Sequence, residues 1–70
     1  MTGNELKEIR KSLGFSQTEF ASMLGLTQVW VSHLETENRK LSSLTEKKVR
    51  FFEKKLKKRL DFIKNIKYNG

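Results

Sequence analysis

Two glutamines, Gln17 and Gln28, each open a short segment of helical periodicity, and behind Gln28 stand Val29, Ser32, His33 and Thr36. At this spacing the side chains share the outward side of one helix. Their chemistry is reversible hydrogen bonding to a patterned polar surface. A glutamine amide presents a donor and an acceptor side by side, the pair that suits the major-groove edge of adenine; Ser32 and His33 can meet other base edges, and Val29 can touch a thymine methyl. Gln17, with the free N–H groups of a helix start beside it, suits a phosphate oxygen. On an unremarkable helix the same residues would be solvated side chains, so the elements that carry them decide.

Other chemistries are poorly supplied. His33 is the only histidine and there is no cysteine, which leaves a metal site to carboxylates that form no suitable cluster in the sequence. Ser16, Ser22, Ser42 and Ser43 read as caps and surface positions, with no partner that would make a nucleophile, and no glycine-rich phosphate loop is present. Glu5 and Glu8 resemble a carboxylate pair, but Lys11 stands at ion-pair spacing from Glu8. The reading is therefore no catalytic residue, no metal, no cofactor and no enzyme.

The elements follow from start and stop signals. Ser16 with Glu19 has the form of a capping box, so a helix begins at Gln17. Phe20 and Leu24 share its inner face, Ala21 permits close approach of a neighbour, and Gly25 can take the left-handed conformation that ends it. Thr27 caps the next helix, whose Val31 and Leu34 face inward. Residues 16–36 thus read as a helix-turn-helix. Ahead of it, Thr2 and Glu5 offer another capping box, and Leu6, Ile9 and Leu13 give the buried stripe of a first helix ended by Gly14. Ser43 and Glu46 offer a further box. From Leu44 to about Lys67 neither Gly nor Pro interrupts, which predicts one long C-terminal helix.

With 70 residues and no cysteine, the chain is one small domain that must be held by helix packing. The fold class is all-α: a compact helix-turn-helix domain of four to five helices with a long last one. Residues 1–43 form the core, and residues 44–70 form a basic amphipathic helix of the same domain and a dimerisation element. No apolar run approaches the ~20 residues of a membrane span and no secretory pattern opens the chain, so the expected location is the cytoplasm.

Leu6 to Leu44 resembles the DNA-binding domain of phage repressors and Cro proteins, the lambda-repressor-like or xenobiotic-response-element family. The resemblance implies that Gln17 holds a phosphate and that Gln28 reads a base. It also implies that Arg10 and Glu35 form a structural ion pair tying the first helix to the recognition helix, and that the target is a double-stranded DNA operator. The sequence departs from the family at Thr36 and Glu37, where Asn and Gly are common, leaving Asn38 to supply a left-handed turn residue. In size and architecture the chain also resembles small phage modulators of repression, which bind a partner repressor. That is the alternative function.

Charge is distributed unevenly. Up to Ser43 five bases and five acids cancel, so the whole excess of +7 lies beyond it. Arg39 and Lys40 remain available for the DNA backbone. Trp30 is expected half-buried against the following loop or the last helix, or else forms with Val29 an apolar patch for a protein partner. In the last helix Val49, Phe52, Leu56, Leu60 and Ile63 make a narrow stripe, with Leu44, Phe51 and Phe62 on a second line. Leu60, Phe62, Ile63 and Ile66 need a cover, which a second copy of the chain would provide, unless a bend at residues 54–58 folds the end back. Lys54, Lys55, Lys57, Lys58 and Arg59 are a solvated face, or contact the DNA backbone, an acidic protein or, last in rank, anionic lipid.

Overall fold

Local capping sets the helix boundaries. In the computed structural model, which describes the backbone of residues 1–69 and the side chains of residues 1–57, four helices follow in order: α1 (Gly3–Ser12), α2 (Gln17–Leu24), α3 (Gln28–Thr36) and α4 (Ser43–Asn69). The Ser16 hydroxyl accepts from the Glu19 N–H at 3.1 Å while the Glu19 carboxylate accepts from the Ser16 N–H at 3.0 Å. Gly25 ends α2 at φ 71°, a conformation costly for any residue with a Cβ. Thr27 then caps α3, its hydroxyl accepting from the Trp30 N–H at 3.2 Å. Asn38 supplies the left-handed residue after α3, at φ 49°.

Two local expectations are corrected. The cap of α4 is Ser42 rather than Ser43: the Ser42 hydroxyl accepts from the Thr45 N–H at 3.2 Å. Glu46 is drawn instead to the Met1 ammonium, because a full positive charge is a stronger partner than a neutral N–H. Glu8 and Lys11 form no ion pair among the described residues; Glu5 accepts from the Thr2 N–H and lies 3.9 Å from Arg50. Both are exposed positions where water competes well.

The core gathers Leu6 and Ile9 of α1, Phe20, Ala21 and Leu24 of α2, Val31 and Leu34 of α3, Leu41 of the loop and Val49 of α4. Phe15 stacks on Phe20 with ring centroids 5.9 Å apart. Burying each of the Leu, Ile, Val and Phe side chains contributes about 1.5–3 kcal/mol. Val49 is fully buried and Phe52 packs against the same cluster, so the first turns of α4 are seated on the three-helix body. Their burial leaves Leu44 and Phe51, on another side of the helix, 67% and 57% exposed. Among the described residues there is no fifth helix and no break at residues 54–58: α4 is continuous for 27 residues, about 40 Å at 1.5 Å per residue. The side chains of Leu60, Phe62, Ile63 and Ile66, and those of Lys58 and Arg59, lie outside the described residues.

Gly3 joins the start of α1 to the end of α3. Its N–H donates to the Arg39 carbonyl at 2.8 Å, and a Cβ there would fall 1.7 Å from the Leu34 carbonyl oxygen. Beside it the Asn4 N–H donates to the Asn38 side-chain oxygen at 2.9 Å. These contacts fix the far end of α3 to α1.

Candidate nucleic-acid interface

A chain of hydrogen bonds runs from the core to the first exposed residue of α3. The Arg10 guanidinium, buried, donates to the buried Glu35 carboxylate twice, Nε to Oε2 at 2.8 Å and Nη2 to Oε1 at 3.0 Å. Its third nitrogen donates to the Phe15 carbonyl at 2.8 Å. Glu35 Oε1 also accepts from Gln17 Nε2 at 3.1 Å, and Gln17 Oε1 accepts from Gln28 Nε2 at 2.8 Å. A carboxylate can only accept, so Gln17 must turn its NH₂ toward Glu35 and its oxygen toward Gln28. Gln28 must then answer with its own NH₂. Its carbonyl oxygen and second N–H remain uncommitted among the described residues, and they are the adjacent acceptor and donor that adenine requires.

Around this pair the outward side of α3 carries Val29, 61% exposed, with Ser32 half-buried and His33 and Thr36 exposed. Gln17 is half-buried and Gln28 exposed. The first N–H groups of α2 have no acceptor within the helix, so the side chain of Gln17 serves Gln28 while its backbone can serve a phosphate. Five of the candidate residues therefore share α3, and Gln17 joins them through its amide. Arg39 and Lys40 stand apart, exposed in the loop beyond α3.

The exit of α3 is held by Glu37. Its carboxylate accepts from Arg39 Nη2 at 3.2 Å and lies 3.0 Å from His33 Nδ1. Arg39 holds this carboxyl below its ordinary value, with His33 adding to the effect, so it is ionised at neutral pH. The Arg39 guanidinium also lies 5.7 Å from the Trp30 ring centroid, within cation–π range. Trp30, 42% exposed, borders with Leu34, Lys40, Leu41, Ser42 and Thr45 a hollow of about 300 Å³. It thus leans on the loop and the first turn of α4 while keeping an open edge beside Val29.

Glu37 stands in the sequence only as a departure from the family pattern, although its i,i+4 spacing from His33 signals the contact. Gly3 and Asn4 carried no such signal, since their partners are more than thirty positions away. No group of three His, Asp or Glu is arranged to hold a metal among the described residues, and none of their helices is long and apolar enough to cross a membrane.

A family model described as helix-turn-helix matches residues 6–63. No curated protein and no solved structure is significantly similar to the chain.

Proposed function

The chain belongs to the helix-turn-helix family of lambda-repressor-like type and is a DNA-binding regulator; from that premise we propose a sequence-specific transcription regulator of the phage repressor and Cro kind. The observation that carries the reading is the anchored amide of Gln28. Its donor toward Gln17 is committed and its adenine-matching pair has no partner among the described residues. In this reading α3 lies in the major groove, Gln28, Val29, Ser32, His33 and Thr36 face base edges, and the N-terminus of α2 at Gln17 meets a phosphate. Arg39 and Lys40 follow the backbone.

A homodimer fits this reading, because two copies would place their recognition helices about 34 Å apart on a two-fold operator. Selection of bound duplexes from a random pool tests the proposal. The expected product is a short pseudo-palindromic site with a defined adenine whose preference disappears in Gln28→Ala. Recovery of unrelated sequences, bound equally by the variant, would remove the operator reading.

The exposure of Val29 and Trp30 on the same helix favours one second reading, an antirepressor that presents this face to a partner repressor. Trp30→Ala distinguishes the two: as a regulator it keeps its selected site, as an antirepressor it loses the partner.

A further inference from the structure

Between α2 and α4, away from α3, lies a second apolar surface. Met23 and Phe52 line its inner part, Leu44 and Phe51 stand largely exposed, and Lys47 and Lys48 complete the lining of a groove of about 290 Å³. Phe51 meets Phe52 edge to face at 5.5 Å, and Lys55 sets its ammonium 5.3 Å from the Phe51 ring centroid. No lining residue belongs to α3 or to the loop after it. Water-exposed Leu and Phe in contiguous array are uncommon without a partner to cover them.

The charges around the groove have one sign. At about 100° per residue, Leu44, Phe51 and Lys55 share one line of α4, with Lys47 and Lys48 on either side. Glu46 and Glu53 lie on the opposite side of the helix, where Glu46 is paired with the Met1 ammonium and Glu53 with Arg50. Lys47, Lys48 and Lys55 pair with no carboxylate among the described residues; Lys48 donates only to the Leu24 carbonyl, at 3.4 Å. A second copy laid on this face would bring lysines against lysines. A lipid surface would press on convex relief, whereas this surface is a groove between two helices. Leu44 and Phe51 stand seven residues apart, about 10.5 Å along the axis, the spacing of i and i+7 anchors on a docked helix.

We propose that the α2–α4 groove docks an acidic amphipathic helix of a partner protein, its apolar side chains meeting Leu44, Phe51 and Met23 and its carboxylates meeting Lys47, Lys48 and Lys55. The site is independent of the DNA-reading face, so the chain can engage operator and partner at once.

The test uses the full chain, labelled with ¹⁵N, and a stapled helical peptide carrying Leu at i, i+4 and i+7 with glutamates elsewhere. A companion peptide replaces every glutamate by lysine. Saturable shifts at Met23, Leu44, Lys47 and Phe51 with the acidic peptide alone are expected. Leu44→Ser with Phe51→Ser should weaken binding about tenfold or more and leave DNA affinity unchanged. Lys47→Glu with Lys55→Glu should exchange the preference toward the lysine peptide, a gain that an unfolded variant could not give. Equal response to both peptides, or shifts confined to α3, overturns the proposal. So do shifts at this face on raising protein concentration without peptide, and binding to phosphatidylglycerol vesicles that the acidic peptide does not displace.

Discussion

Gln28 donates from Nε2 to Oε1 of Gln17 at 2.8 Å, so the first residues of α2 and α3 present their amides as one unit. Removing Gln17 releases Gln28, whereas removing Gln28 leaves Gln17 still held by Glu35. Gln28→Ala should lose about 1–3 kcal/mol of discrimination at its base. Gln17→Ala, which leaves every atom of Gln28 in place, should lose part of the same discrimination. In a double-mutant cycle read by operator affinity the two losses should overlap by about 0.5–3 kcal/mol. Strict additivity would mean that the amides act separately.

Behind that unit, Arg10 and Glu35 are both buried, and the loss of one leaves a bare charge in the core. Glu35→Ala should cost about 3–5 kcal/mol in urea unfolding. Arg10→Met combined with Glu35→Leu should restore most of the stability, since apolar replacement of a buried pair is often neutral. The repaired core would still lack the carboxylate that orients Gln17. Operator discrimination should therefore stay reduced in a protein that folds normally, which separates the pair's two roles.

Gly3 is demanded by close approach and not by an unusual φ. An alanine methyl would sit 1.7 Å from a backbone oxygen of Leu34, and neither backbone can yield without disturbing the Gly3 to Arg39 hydrogen bond. Overpacking of this kind costs about 1–3 kcal/mol. Thermal unfolding of Gly3→Ala should show the loss, whereas Asn4→Ala, which keeps the backbone donor to Asn38, should change little.

What could be read from sequence was what is local. Ser16 and Glu19, Gly25 and Thr27 act on their own or neighbouring backbone within a few positions, so residue type alone placed α2 and α3. The long uninterrupted α4 followed from the absence of any breaker. The engagement of Glu46 by the Met1 ammonium rather than by a capping box with Ser43 was not legible, because the two residues are 45 positions apart. The same limit applied at the interface. Residue types on the outward side of α3 were visible, but the order of donors and acceptors from Arg10 through Glu35 and Gln17 to Gln28 depends on how three helices cross. Gly3 was hidden for that reason too: as a residue at a helix start it resembles any other.

Three carboxyls link stability to pH. The Ser16 backbone N–H holds Glu19 below the ordinary 4.5, the Met1 ammonium does the same for Glu46, and Arg39 for Glu37. A carboxyl whose folded pKa is depressed contributes its full stabilisation above the unfolded value and loses it as pH falls through the folded one. The midpoint of thermal unfolding should be level from neutrality down to about pH 5 and decline below pH 4.5. The decline should be shallower in Glu46→Gln, which has no charge to lose. An identical pH profile for the variant would remove the Met1 contact from the account.

Glu37 sets the electrostatics of the α3 exit, where a DNA backbone would pass. Its carboxylate engages Arg39 and His33 and, with its pKa lowered by Arg39, remains charged at every physiological pH. Against a phosphate at this exit it would act as a like charge while occupying Arg39. Glu37→Gln should tighten operator binding and steepen its dependence on salt, because each phosphate newly matched by a cation adds about 0.9 to the slope of log affinity against log salt. Arg39→Ala should flatten the slope by a similar amount and change sequence preference little, since backbone contacts carry affinity without reading bases. In the double variant the Glu37 effect should shrink, because part of it consists of freeing Arg39. Filter binding across a salt series measures all three. A Glu37→Gln slope equal to that of the parent protein would place the exit of α3 away from the phosphates.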